Sequence, residues 1–464
     1  MRLKATLVSI CPTEAATQAG RPSLTPELLA ASGARYSRNN EGLDAILAKI
    51  DWNNLDKSVD GIFRMIDYGH QSITDMSPVA IFIDGASQYL VYLLWAICQV
   101  VGGQESSTRF ILMNREGLID PQTLGIPEEL RAEWSEYNER AFSAYHQALA
   151  CWEHRLDETP QLARIPTSLL EATDDKSIAA VARMKRNYGF DRSRYFVPTG
   201  MGTNVMMIMP AREWAKLCRY LHSHMLSEAQ QLGAMIMEEL NLVIPRLLKH
   251  AVYDDETVDQ IWDEFDEDRE SLGNPSDLLE VYPTPYLDIM PARGTTEEDV
   301  VKALKHHNNR YGPFGRAIRR MSVRYGVDAV TLGEIRDFNR HRTGEKFCPQ
   351  TPLGFYCALD QCQDDPETLK IITELHEVGV SSTRQAAKLL KAGDPTYAYW
   401  LLLGTQFPFE QTTTGNKAIY TWELRTGPGA HYRYADHFRC ILELWYQQYP
   451  QTRGLIKEGL AEPE

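Results

Sequence analysis

The strongest constraint on the fold of this chain is a weak internal repeat. In the first half, a glycine-bearing turn at Asp67–Ser72 precedes a short apolar run, Val79–Gly85, and then a helical pattern. In the second half, a similar turn at Arg310–Gly315 precedes a strand prediction at Ile318–Val323 and a helix prediction at Thr331–Arg342, about 243 residues later. A duplicated module of helices and short strands explains this order, so the predicted fold class is α+β.

Two copies of one module predict the domain organisation. A chain of 464 residues with 43% hydrophobic residues can bury more than one core. We expect a first copy at residues 1–250, an acidic linker at 251–285 and a second copy at 286–464, the copies forming a pseudo-dimer. The linker is predicted from the acidic runs at 254–256 and 263–268, since such runs are usually solvated. Long helices are predicted at 127–188.

Charge and cysteine usage narrow the class of protein. The formal charge of -15 disfavours binding to nucleic acid or to an anionic membrane. The apolar run Tyr89–Val101 is too short to span a bilayer, so it is predicted to be a buried helix. The basic and briefly apolar N-terminus is too short for a signal peptide. Eight cysteines without a CxxC pair indicate reduced thiols and no metal site, so a cytoplasmic protein is expected.

The most charged short stretch of the second half is Arg336-Asp337-Phe338-Asn339-Arg340-His341-Arg342. On a helix, Arg336, Asp337 and Arg340 would place one carboxylate between two guanidiniums. Guanidiniums grip phosphate or carboxylate oxygens with paired N–H groups, so this stretch is a candidate anion site. Taken alone, an R-H-R sequence is more often a solvated basic turn.

Three further motifs connect this stretch to a known family. They are Gln104-Glu105-Ser106-Ser107-Thr108-Arg109-Phe110, Arg194 followed by Val197-Pro198, and Leu424 to His431 with its Arg425. Together with the glycine turn, they resemble the motifs of the flavin-dependent thymidylate synthases. That family carries G-H-x-S/T-x-x-E-H, Q-x-x-R-H-R, N-E-x-S-x-R-Y, A-R-x-x-L-P and an L-R helix. The resemblance covers most of both halves, as two degraded copies of one domain with long helices and a short-stranded sheet.

The two copies have lost different motifs. The first has no charges at the R-H-R position, near 96–99, but keeps the segment from Gln104 to Phe110. The second keeps Arg340-His341-Arg342 but has lost the glutamate, serine and arginine within 350–356. Because family sites form where subunits meet, this pattern implies one composite site from both halves and one silent site.

The resemblance assigns roles residue by residue. It implies that the nucleotide phosphate binds to Arg109, Arg194 and Arg425. Glu105 and Ser107 would contact the nucleotide, and Arg340 would lie over the pyrimidine ring, where a cation stabilises developing negative charge. A nucleophilic role for Ser107 is a weaker alternative, because no base stands at a fixed spacing from it. The other candidates are Arg336 and Asp337 for the substrate, and Arg340, His341, Arg342, Gln104, His70 and Ser72 for the flavin. Each lone arginine has a surface charge or salt bridge as its alternative.

The implied activity is one-carbon transfer to C5 of a pyrimidine nucleotide, as in the conversion of dUMP to dTMP. Implied cofactors are FAD, NADPH and methylenetetrahydrofolate, and the implied assembly is a homodimer that resembles a family tetramer. The sequence differs from the family motifs at two positions that bear on the implied activity. Asp75-Met76 replaces the family E-H, and Asp337 replaces a glutamine, which indicates an altered base or another one-carbon reaction. Alternatives are a different nucleotide or nucleoside in a modified-base pathway, and a non-catalytic nucleotide-binding homologue.

Overall fold

The computed structural model describes residues 2–38, 42–63, 71–249, 251–459 and 461. The chain forms two compact units. The first unit comprises Met1–Ser106, Glu116–Glu128 and Gly200–Phe265, and the second unit comprises Ser107–Arg115, Glu129–Thr199 and Asp266–Glu464. Both units interleave segments that are distant in sequence.

The described residues form helices and short strands in both units. The strands are β1 (Lys4–Val8), β2 (Pro78–Ser87), β3 (Gly102–Glu105), β4 (Gly202–Pro210), β5 (Pro285–Met290), β6 (Ser322–Thr331), β7 (Glu345–Phe347), β8 (Gly354–Phe355) and β9 (Thr405–Thr414). The α-helices are α1 (Glu14–Gln18), α2 (Pro26–Tyr36), α3 (Leu43–Ala48), α4 (Leu55–Phe63), α5 (Gln88–Ile97), α6 (Arg131–Glu158), α7 (Thr167–Leu170), α8 (Asp175–Ser193), α9 (Ala211–Ser223), α10 (Ser227–Asn241), α11 (Asp255–Ser271), α12 (Glu297–Ala303), α13 (Arg316–Arg319), α14 (Leu332–Phe338), α15 (Pro366–Ala392), α16 (Gly415–Thr426) and α17 (Tyr432–Gln448).

The first unit contains an antiparallel sheet in the order β1-β2-β4-β3. Its long strand β2 is broken by a bulge between Ile83 and Ala86. Gly85 adopts a φ of 71° there, and a Cβ at this position would lie 2.6 Å from the carbonyl oxygen of Arg2. Only glycine fits both the left-handed backbone and the close approach.

The second unit contains an antiparallel sheet in the order β5-β6-β9-β7, with β8 also paired to β9. Strand β6 has a register shift between Val327 and Val330. Taken separately, the two sheets have the same strand order, and β6 follows β2 by about 244 positions. In both, a hydroxyl residue ends the long strand and caps the next helix: Ser87 accepts from the N–H of Leu90, and Thr331 from that of Glu334.

Long helices form a large part of the second unit. Helix α6 packs against α8 and α15. The buried Trp134 of α6 donates its indole N–H to the carbonyl oxygen of Tyr399 at 2.9 Å. Helix α15 begins at the N-cap Asp365 and ends at Gly393, which has a φ of 81°. The helices predicted at 127–188 therefore form much of the core of this unit.

The α+β prediction is confirmed, but several boundaries differ. The segment Ile318–Val323, predicted as a strand, contains the end of α13 and only the first residues of β6. The helix predicted at Tyr89–Val101 ends at Ile97, because Cys98 adopts an extended backbone. The predicted linker at 251–285 contains α11. Within the described ranges, no helix combines the length and apolar composition that a membrane crossing requires.

Candidate functional site

The R-H-R segment lies at the end of helix α14 in the second unit. A capping box fixes the start of this helix, where Thr331 and Glu334 exchange side-chain and backbone hydrogen bonds. The helix ends at Phe338, so the prediction that it reaches Arg342 was wrong. Arg336 and Asp337 are buried in its last turn, whereas Arg340 and His341 follow it in the chain.

Asp337 lies between several arginines. Its Oδ2 accepts hydrogen bonds from Nη1 and Nη2 of Arg194, both at 3.3 Å. Its Oδ1 lies 3.9 Å from Nε of Arg340. Its backbone oxygen accepts a hydrogen bond from Nη2 of Arg425 at 2.7 Å. One residue thus contacts three guanidiniums, and its negative charge offsets their mutual repulsion.

A second carboxylate binds Arg109. Asp191, at the end of α8, accepts from Nε of Arg109 at 2.7 Å and from Nη2 at 2.8 Å. Nη1 of Arg109 donates to the carbonyl oxygen of Gly429 at 2.9 Å. The bidentate pair with Asp191 connects the segment 107–115 to α8, and the hydrogen bond to Gly429 connects it to the loop between α16 and α17. We refer to Arg109, Arg194, Arg340, Arg425, Asp191 and Asp337 as the arginine cluster.

Arg425 orients the histidine of the R-H-R segment. Its Nε donates to Nε2 of His341 at 2.7 Å, so this ring nitrogen is the acceptor. Nδ1 then carries the proton and lies 3.2 Å from the hydroxyl oxygen of Thr421. Burial, and next the charge of Arg425, hold the pKa of His341 well below its ordinary value. His341 is therefore a neutral imidazole of defined tautomer.

Electrostatics keep both carboxylates of the cluster ionised. Burial raises the pKa of Asp337, but the surrounding arginines, of which Arg194 has the largest effect, together hold it below its ordinary value. The pKa of Asp191 is lowered in the same way, with Arg109 the principal cation that opposes burial. Four guanidiniums and two carboxylates leave an excess of positive charge in the cluster.

A cavity of about 390 Å³ borders the cluster. It is lined by Arg340, His341, Tyr420, Leu424, Arg425 and the loop Pro428 to Ala430. Its volume lies within the range of small-molecule sites, and it combines an aromatic ring and apolar groups with cations. The arrangement can bind a planar ring and place a cation beside it.

The remaining predicted residues lie as follows. Ser107, in the second unit, accepts the backbone N–H of Arg109 at 3.2 Å with its hydroxyl oxygen. Gln104 and Glu105 belong to β3 in the first unit, where a carboxylate oxygen of Glu105 lies 2.6 Å from the indole nitrogen of Trp95. Ser72 is exposed in a 3₁₀ helix of the first unit. His70 lies outside the described residues. Arg342 is partly exposed, and burial, followed by Arg340, lowers its pKa.

Sequence reasoning missed two residues of this site. Asp191 was not singled out, although it stands three positions before Arg194 in a fully buried helix end. His431 was quoted only as part of a motif. Its Nδ1 accepts the backbone N–H of Arg433 at 3.2 Å, and its Nε2 lies 3.0 Å from the carbonyl oxygen of Asp191. The signal for Asp191 was a polar residue inside a buried helix end, whereas His431 stands at the N-cap of α17.

Comparison with known proteins agrees with the predicted resemblance. Residues 22–246 match the family described as "Thymidylate synthase complementing protein". A curated protein of Thermoplasma acidophilum, "UPF0159 protein Ta1429", is 20% identical over 477 residues, covering 91% of this chain and 93% of that protein. A solved structure of a UMP/dUMP methylase from Streptomyces cacaoi bound with 5-Br dUMP covers 54% of this chain and 94% of its own, with 12% identity and a TM-score of 0.32. That structural similarity carries no argument about function.

The resemblance to the flavin-dependent thymidylate synthases is therefore confirmed over residues 22–246. This range includes Arg109 and Arg194 and ends before Asp337 and Arg340. Over this part of the chain the protein is thymidylate synthase-like, and the comparisons leave its substrate open.

Proposed function

We propose that the protein transfers a one-carbon unit to C5 of a pyrimidine nucleotide or nucleoside at one composite site in the second unit. The observation that carries this proposal is the arginine cluster. Its members come from both halves of the sequence, yet all of them belong to the second unit. The reacting pyrimidine ring carries enolate-like negative charge, so cations held in place lower the barrier without a protein nucleophile.

Arg340 is the residue best suited to contact the ring. It lines the cavity, and its ion pair with Asp337 is long at 3.9 Å. Its guanidinium can therefore turn toward a bound ring and stabilise charge as C5 reacts. The neutral His341 beside it offers no second positive charge but fixes the orientation of Arg425.

FAD fits the chemistry of this cavity. Tyr420 supplies an aromatic ring, and Arg340 and His341 supply polar groups to the lining of the same cavity. These residues would hold the isoalloxazine ring, and the family further implies reduction by NADPH and methylenetetrahydrofolate as the carbon donor. When bound, the flavin supplies the two electrons that convert a transferred methylene into a methyl group. The chain's own residues orient the ring and exclude water from it.

We further propose that the chain consists of two tandem copies of one domain, bounded near residues 250 and 286, and that it assembles as a homodimer. The shared strand order of the two sheets, with equivalent bulges, supports a duplication. In the first unit, the position equivalent to the R-H-R segment lies at the end of α5, near 96–99, and carries no arginine. This is the pattern expected if that copy no longer forms a site.

Purified protein tests the activity directly. We expect a bound flavin with absorption near 450 nm that bleaches with NADPH and anaerobic turnover of a pyrimidine substrate. Arg340→Ala and Arg109→Ala should each abolish turnover. Arg324→Ala is the matched control, since Arg324 pairs with Asp288 on the exposed side of the second sheet. Protein that takes up no flavin but binds a pyrimidine nucleotide would instead support a non-catalytic nucleotide-binding homologue.

Mixing the two inactive variants tests where the site is built. Arg109 and Arg340 belong to the same unit, so each chain of a mixture still lacks one of them. We expect no recovery of turnover. Recovery on mixing would show that the two arginines act from different chains.

A further inference from the structure

Two of the three arginines that the resemblance assigns to the phosphate are already paired with carboxylates of the chain. The side chain of Arg194 is 2% exposed, and both of its terminal nitrogens lie 3.3 Å from Asp337. The side chain of Arg109 is 12% exposed, and it forms two hydrogen bonds to Asp191, which is itself 3% exposed. A phosphate at these positions would compete with an internal anion.

The other nitrogens of these arginines also have internal acceptors. Nη1 of Arg109 donates to the carbonyl oxygen of Gly429 at 2.9 Å. In the third arginine, Arg425, Nε donates to His341 and Nη2 to the backbone oxygen of Asp337, while Nη1 lies 3.4 Å from the hydroxyl of Tyr434. A phosphate monoester is normally held by several such N–H groups at once. The N–H groups of these guanidiniums donate to acceptors within the protein and not toward a phosphate.

The wall of the cavity has a different character. Arg340 is 35% exposed and lines the cavity together with the neutral His341 and the ring of Tyr420. Arg425 also lines the cavity, but its N–H groups are directed to protein acceptors. Arg340 beside an aromatic ring and apolar groups matches an uncharged heterocycle on which charge develops during reaction. It matches a phosphate dianion less well.

We infer that the substrate is a pyrimidine nucleoside without a 5′-phosphate, and that Asp191 and Asp337 set this specificity by occupying Arg109 and Arg194. The inference rests on the proposed C5 chemistry and adds the substrate class. Displacing either carboxylate would leave a buried charge unpaired, so a phosphate gains little from these arginines.

Binding to the wild-type protein tests this first. Calorimetry at one ionic strength would compare uridine and 2′-deoxyuridine with UMP and dUMP. The phosphate is expected to improve the dissociation constant by less than about tenfold, or 1.4 kcal/mol. An improvement of tenfold or more overturns the inference and leaves the proposed function standing. Failure of all four ligands and of flavin to bind overturns the proposed function itself.

A variant tests the role assigned to the carboxylates. Asp191→Asn removes the anion from Arg109, so the contribution of the phosphate should rise by about tenfold or more. Asp288→Asn, which removes the anion from the exposed Arg324, is the matched control and should change nothing. An unchanged phosphate contribution in folded Asp191→Asn protein overturns the assignment. If that variant does not fold, the wild-type comparison decides the question.

Discussion

Replacing Asp337 by alanine is expected to lower the free energy of unfolding by about 3–5 kcal/mol. The magnitude follows from burial, because the side chain of Arg194 is 2% exposed and that of Asp337 is 8% exposed. Solvent cannot screen an unpaired Arg194 at such a position. Removing the carboxylate also leaves the repulsion of Arg340 and Arg425 unopposed. Asparagine should cost less, about 3 kcal/mol, since its amide oxygen still accepts a hydrogen bond.

The assay is urea denaturation followed by both tryptophan fluorescence and far-ultraviolet circular dichroism. Asp288→Ala is the control, because its pair with Arg324 is more than half exposed and should contribute less than about 1 kcal/mol. A double variant, Asp337→Leu with Arg194→Met, sharpens the test. It removes both charges, so it should be more stable than either single variant.

The reasoning would be refuted by two results. Loss of less than about 1 kcal/mol in Asp337→Ala would show that water reaches Arg194. A double variant whose loss equals the sum of the single losses would show that the two side chains are not coupled.

Three further predictions concern other parts of the molecule. Arg340→Ala should reduce turnover by at least about a hundredfold while changing unfolding by less than about 1 kcal/mol, because the side chain is 35% exposed; steady-state rates and urea curves check this, and a large stability loss would contradict it. Burial lowers the pKa of His431 to about 3, so from about pH 6.5 to 3 the unfolded state binds one more proton, and stability should fall as pH falls. Denaturation of His431→Gln should show a weaker pH dependence in that window, and an identical slope would refute the assignment. Gly85→Ala should lower the melting temperature, since its φ is 71° and a Cβ would lie 2.6 Å from Arg2; an unchanged value would show that the bulge adapts.

The sequence predicted the presence of helices and strands better than the residues at which they begin and end. Strand β2 and the helix after it were recognisable because the apolar run Val79–Ile83 is followed by a helical pattern. The ends were not, because they depend on single backbone conformations such as that of Cys98. In the second half, the strand predicted at Ile318–Val323 was placed too early. The alternation of exposed and buried residues that is typical of a strand begins only after Met321, where β6 starts.

The sequence predicted which arginines belong to the candidate site, but it did not predict which carboxylates they contact. The arginines at 109, 194, 340 and 425 were all identified from motifs, since motif order is a property of the sequence. Their partners were not, because a carboxylate partner need not be close in sequence: Asp191 lies 82 positions from Arg109, and Asp337 lies 143 positions from Arg194. Local spacing predicted that Asp337 lies between Arg336 and Arg340, and the structure shows its ion pair with Arg340 at 3.9 Å.

The position of Asp337 changes the meaning of its substitution for the family glutamine. From the sequence, a carboxylate there indicated an altered base, with Asp337 directed at the ligand. The structure buries this carboxylate against Arg194, so the contacts that it shows are with cations. Glutamine could not neutralise these arginines, and their positive charge would then be free for a phosphate. The same substitution therefore stabilises the cluster and reduces what a phosphate can gain there, which is why the charge of the substrate is the property to measure first.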